Sequence, residues 1–163
     1  MRKSVLAILS IMLLLYPLIT FAHFLGYSAV DGREIRWEGS TKYNDAKNHS
    51  INIWNALRKV TIAPDDWWTA SDLILKDVNR CDVTWGAQYS HYAIGTDDIA
   101  YNICKMDAVN DFNKRKIAAH EMGHALGLNH SFNGQVMCAT TLCIGNVNTP
   151  QSHDIADYNG IYP

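Results

Sequence analysis

The chain has 163 residues, 48% of them hydrophobic, and a formal net charge of −2, which suits one globular domain with a core of its own. Mild acidity excludes the basic footprint of a nucleic-acid binder and supplies no attraction to an anionic membrane surface. No internal repeat or low-complexity segment is visible.

Arg2 and Lys3 precede an apolar run from Val5 to Ile19, and Thr20-Phe21-Ala22 closes it with a small-x-small tripeptide. The pattern predicts a secretory signal over residues 1–22 and a single domain over residues 23–163. Apolar character continues through Phe24 and Leu25, so an uncleaved anchor is the alternative; Pro17 and the tripeptide favour cleavage. Beyond the signal, 12 basic residues stand against 16 acidic ones, and no stable membrane association is expected. Export favours disulfides for the four cysteines over thiol chemistry. Three pairings are possible, and proximity in sequence favours Cys138 with Cys143 and Cys81 with Cys104. A loop-entropy account makes these bridges worth roughly 2 and 3 kcal/mol.

Glu34-Ile35-Arg36-Trp37 alternates polar and apolar and predicts a first strand. A helix follows from Asn44 or Asp45 to Leu57, with an acid in its first turn and Ala46, Trp54 and Leu57 facing inward. Val60 to Ile62 and Asp72 to Val78 are further strands. The loop between them carries Pro64 and the pair Trp67-Trp68, which is assigned to the core because buried aromatics are the commoner case in a small domain. Val83 to Tyr101 reads as two short strands broken by Gly86 and Gly95, with Ile99 to Ile103 the firmest part. Asp107 to Asn113 is polar, and a helix then runs from Lys114 to Gly127.

That helix leads into His120-Glu121-Met122-Gly123-His124-Ala125-Leu126-Gly127-Leu128-Asn129-His130. Helical residues advance roughly 100° each, so His120 and His124 project from one face about 40° apart and can grip one metal ion. Glu121 points beside them, where a carboxylate can take a proton from metal-bound water without being a ligand. Had the helix continued, His130 would lie roughly 15 Å along the axis from His120. Gly127 supplies the break, since glycine takes the left-handed conformation that ends a helix at little cost. Three imidazoles leave the fourth tetrahedral position of a zinc ion open, as in catalytic sites.

The pattern H-E-x-x-H-x-x-G-x-x-H, followed by Met137, resembles the metzincin metallopeptidases, and G-H-A-L-G-L-N-H-S is similar to the matrixin branch. The likeness is close from Ile117 to Met137 and looser elsewhere. It implies an α+β, metzincin-like zincin fold: a small twisted mixed sheet packed on two long helices, with a cleft above the second. Asp154-Ile155, Tyr158 and Ile161-Tyr162 follow the spacing of the family's closing helix, implying a C-terminal helix from about Gln151 to Ile161. The resemblance further implies that Met137 is the apolar floor beneath the histidines and that Asp154 braces the backbone around it. Some features depart from the family. Cys138 and Ala139 stand where a switching tyrosine would be, and His153 replaces an acid. Arg80-Cys81-Asp82 lacks the flanking residues of a cysteine switch. The ligand pattern of a second, structural zinc is not apparent: His23, His49, His91 and His153 are scattered and expected to be surface or satisfied histidines. Asp97-Asp98 is too small a ligand set to claim calcium.

The residues thus predict a secreted, monomeric zinc endopeptidase with protein or peptide substrates. It would hold one catalytic zinc on His120, His124 and His130, use Glu121 as the base, and have Gly127 and Met137 shape the site. Two alternatives stand beside it, a processing peptidase for one partner protein and a zinc-stabilised binding module that does not cleave.

Overall fold

A computed structural model describes residues 23–139 and 147–163. The expected signal segment and Cys143, with its pairing to Cys138, lie outside the described residues. Strand β1 (Glu34–Gly39) leads into helix α1 (Asn44–Asn55) and returns as β2 (Thr61–Pro64), parallel to β1. Strand β3 (Leu73–Val78) lies on the other side of β1, also parallel. Then come β4 (Ala87–Ser90), β5 (Asp97–Asn102), a single turn α2 (Ile103–Met106), the helix α3 (Asp111–Ala125) and, after the described gap, α4 (Ser152–Ile161). The strand order is β2-β1-β3-β5-β4, parallel except where β4 runs antiparallel to β5 at the edge. Parallel neighbours need a covered crossover, and α1 provides it between β1 and β2.

Burial explains why these segments sit where they do. Every residue of β5 is buried, as expected for a strand flanked on both edges and covered by helices. The inward positions of β1 and β3, Ile35, Leu73 and Leu75, join Trp54 of α1, Met122 of α3 and Tyr158 of α4 in one core. Helix α3 begins three residues earlier than its apolar pattern suggests. The Asn110 side chain accepts the Asn113 N–H, and Asp111 stands in the first turn, a cap and a favourable charge that extend the helix backward. Its buried residues are mostly small, Ala118, Ala119, Gly123 and Ala125, which lets α1 approach closely enough for the Trp54 indole N–H to donate to the Ala119 carbonyl at 3.0 Å. Cys81 and Cys104 form the expected disulfide, joining the loop before β4 to α2.

The expected metzincin-like zincin fold, with its sheet on two long helices, requires correction. What forms is a small five-stranded mixed sheet with few helices. Helix α1 has 12 residues and α3 has 15. The chain leaves helical geometry soon after α1, with Arg58 at φ 62°, and Gly127 at φ 84° ends α3. The tryptophan pair is a second correction: Trp67 and Trp68 are 81% and 76% exposed. Their turn is closed by its own polar groups, with Asp66 accepting the Trp68 N–H and Asp65 the Thr69 hydroxyl, and the two rings lie tilted against each other.

Candidate metal centre and cleft

Helix α3 carries His120, Glu121 and His124 on its part-buried flank, and the end of the helix turns His130 back toward them. Leu128 N–H donates to the Gly123 carbonyl at 3.0 Å and Gly127 N–H to the His124 carbonyl at 2.8 Å, the paired bonds of a Schellman ending with glycine in the left-handed position. A Cβ on Gly127 would also stand 3.0 Å from the Phe24 ring. The first described residues brace this turn from outside: Leu25 N–H donates to the Gly127 carbonyl, and Asn129 N–H to the His23 carbonyl at 2.7 Å.

The result is a cluster of ring nitrogens. His124 Nε2 lies 3.1 Å from His120 Nε2 and 3.2 Å from His130 Nε2. Two of the rings are oriented by backbone carbonyls, His120 Nδ1 donating to Val136 and His124 Nδ1 to Leu128, each at 2.8 Å. A ring that donates from Nδ1 is left, when neutral, with a lone pair on Nε2. Burial keeps these rings neutral: it pushes the His120 pKa down to about 3 and the His124 pKa to about 4, and lowers His130 as well. Three neutral imidazoles with converging lone pairs fit a zinc-type ion, for which ligand atoms about 3.3 Å apart follow from bonds of roughly 2.0–2.1 Å.

Glu121 lies beside this cluster, part-buried and facing the edge strand, where its Oε2 accepts the Tyr89 N–H at 2.8 Å. Desolvation raises its pKa to about 8 against the lowering effect of that bond. An open cleft runs past it, lined by Trp85, Gly86 and Ala87 of the edge, Val109, Ile117 and Lys116 of the helical side, and Cys138.

Met137 is buried beside Gly123 of α3. A Cβ on Gly123 would meet the Met137 sulfur at 2.3 Å and the Trp54 ring at 3.0 Å, so the helix needs glycine one position before His124. Asp154, fully buried, accepts from Val136 N–H at 2.8 Å and Met137 N–H at 3.2 Å. It thereby holds the strip of backbone whose Val136 carbonyl orients His120. Sequence reasoning passed over Gly123 and the Tyr89 amide. Gly123 occupies a variable position of the motif, and a backbone N–H leaves no mark in a sequence.

The remaining histidines are only partly as expected. His49 Nε2 meets the Asn148 carbonyl at 2.7 Å, and His91 lies against Asp97. Asp97 and Asp98 are satisfied internally, by the Tyr89 and Tyr92 hydroxyls, the Tyr92 N–H and Lys76. His23 and His153, expected apart, come together with Asp157 into a second group able to hold a metal ion. The helix α4 and the turn at Gly127 bring the two ends of the described chain to one place.

Against known proteins, the matrixin model of peptidase family M10 matches residues 22–163, and the chain belongs to that family. The domain is therefore of metallopeptidase type. No curated protein matches it in sequence. Among solved structures, a chain of the "GM1 bound form of the ECX AB5 holotoxin" matches with a TM-score of 0.63 at 13% identity, over 87% of this chain and 86% of that one. At that identity the likeness concerns the fold alone. The expected metzincin-like class gives way to a small mixed sheet with few helices, a fold shared with that chain. Among the described residues no helix is long and apolar enough to cross a membrane, and the Cys81–Cys104 disulfide suits an extracytoplasmic protein.

Proposed function

We propose that the protein is an exported zinc-dependent endopeptidase that cleaves peptide bonds with His120, His124 and His130 as metal ligands and Glu121 as general base. The observation that carries this reading is the convergence of the three Nε2 atoms, at 3.1 and 3.2 Å from His124 to its two partners, next to a part-buried carboxylate that lines an open cleft. Zinc, when bound, would polarise the scissile carbonyl and acidify a water molecule. The chain's own residues do the rest. The carbonyls of Val136 and Leu128 hold two imidazoles in the neutral, lone-pair-outward form. Glu121 takes a proton from the attacking water and hands it to the leaving amine, tasks suited to a carboxyl whose pKa is raised toward neutrality. The edge strand beside the cleft can pair with an extended substrate segment, and Ile117 and Val109 offer apolar contact to a side chain.

The test incubates the purified chain with casein and with a peptide library, with and without a zinc chelator, alongside Glu121→Gln. Chelator-sensitive cleavage of many sequences, lost in Glu121→Gln, is the expected result. Cleavage of one sequence alone would favour a processing peptidase, and zinc binding with no cleavage would leave a binding module.

A further inference from the structure

Asp157 is 2% exposed, and one of its carboxylate oxygens, Oδ1, is buried without a hydrogen-bond partner. The other, Oδ2, lies 3.1 Å from His23 Nδ1 and 3.3 Å from His153 Nε2, while the two ring nitrogens are 3.0 Å apart. With Asp157 ionised, hydrogen bonds cannot satisfy this triangle. The carboxylate oxygen then only accepts, and in a neutral ring each of these nitrogens carries a proton or a lone pair, never both. Any placement of protons on the two rings therefore leaves at least one edge with two lone pairs, or two N–H groups, facing each other. A cation at the centre, taking a lone pair from each corner, removes the conflict.

The dimensions agree. Edges of 3.0 to 3.3 Å match those of the histidine cluster on α3 and the roughly 3.3 Å separation of tetrahedral zinc ligands. Two imidazoles and a carboxylate are a donor set suited to zinc. The Phe132 ring packs against both imidazoles, its centroid 5.3 Å from that of His23 and 4.8 Å from that of His153.

We propose that His23, His153 and Asp157 form a second zinc site, one that ties the start of the domain to α4. Its consequence lies next door. The His23 carbonyl accepts the Asn129 N–H, and Asn129 immediately precedes His130, so an ion held by His23 steadies the turn that presents the third histidine of the cleft. The site stands on its own donors and does not require that the protein cleave peptides.

The experiment counts metal. The purified chain is stripped with chelator, reloaded with Zn2+, dialysed and assayed by atomic emission, with folding followed by circular dichroism. The unmodified chain should hold two ions per molecule, and His153→Gln, His23→Gln and His124→Gln one each. Because Asp157 is buried and its replacement risks the fold, the two part-buried histidines carry the test. Added Zn2+ should also raise the thermal midpoint of His124→Gln and leave that of His124→Gln/His153→Gln unmoved. One ion in the unmodified chain that is kept in His153→Gln and lost in His124→Gln, or two retained in both His153→Gln and His23→Gln, would overturn the second site. A chain that binds two ions but cleaves nothing would leave it standing and remove only the peptidase reading.

Discussion

Two groups of donor atoms in this molecule have nearly the same dimensions and different surroundings. His120, His124 and His130 come from eleven consecutive residues and open onto a cleft beside a carboxylate that is not part of the cluster. His23, His153 and Asp157 come from opposite ends of the described chain, pack under Phe132, and include their carboxylate as a corner of the triangle. Donor spacing decides whether an ion can be held, and the neighbours decide what a held ion can do. Among the described residues Glu121 accepts the Tyr89 N–H, and desolvation raises its pKa, which suits the proton exchange with substrate that we propose for it. Asp157 faces two rings and serves to hold them.

The sharpest way to break that contrast is at Glu121. Glu121→Gln should lower kcat/KM by about 10²- to 10⁴-fold while the zinc content of the chain stays unchanged; undiminished turnover would move the base elsewhere.

Acid comes next. The folded pKa values of His120 and His124 are depressed below 6.5, so their stabilising contribution is present above that pH and is lost as pH falls and the unfolded histidines take up protons. In metal-free Glu121→Gln the loss at pH 5 should reach about 2 kcal/mol per histidine, read from urea midpoints against pH 7.5. Metal-free wild type should lose less. The Glu121 pKa is raised, so its contribution fades as pH climbs from 4.5 toward 8 and returns on acidification. Equal losses in the two chains would contradict the burial of Glu121.

Gly127→Ala should cost about 1–2 kcal/mol for the left-handed backbone alone, with more from the contact a Cβ makes with the Phe24 ring. It should also weaken zinc binding at the cleft, because His130 follows that turn. The smallest effect belongs to the exposed pair: Trp67→Ser with Trp68→Ser should shift stability by no more than about 0.5 kcal/mol, and a larger loss would mean the rings are buried in solution.

Reading the chain alone located the strands β1, β3 and β5, the helices α1 and α3, and the motif of the first cluster within a few residues. These depend on local rules, period-two alternation, helical spacing and a glycine that ends a helix. A side-chain cap moved the start of α3, where Asn110 accepts the Asn113 N–H, and a capping box of Gln151 with Asp154 starts α4 where expected. The tryptophan pair was misplaced because hydrophobicity reports what a ring prefers and not whether its loop lies over the core. The fold class was misjudged because a motif of eleven residues governs one helix end and does not set the lengths and layering of the rest.

The sequence by itself determined the first cluster's geometry, since three histidines, a glutamate and a left-handed glycine within one helix and its turn have few ways to be arranged. Only the tertiary structure decided that the Val136 carbonyl orients His120, why Gly123 must lack a side chain beside Met137, and that His23 meets His153 and Asp157. Those contacts join residues separated by 16, 14 and up to 134 positions, and over such distances it is the packing of the sheet, α3 and α4 that selects neighbours.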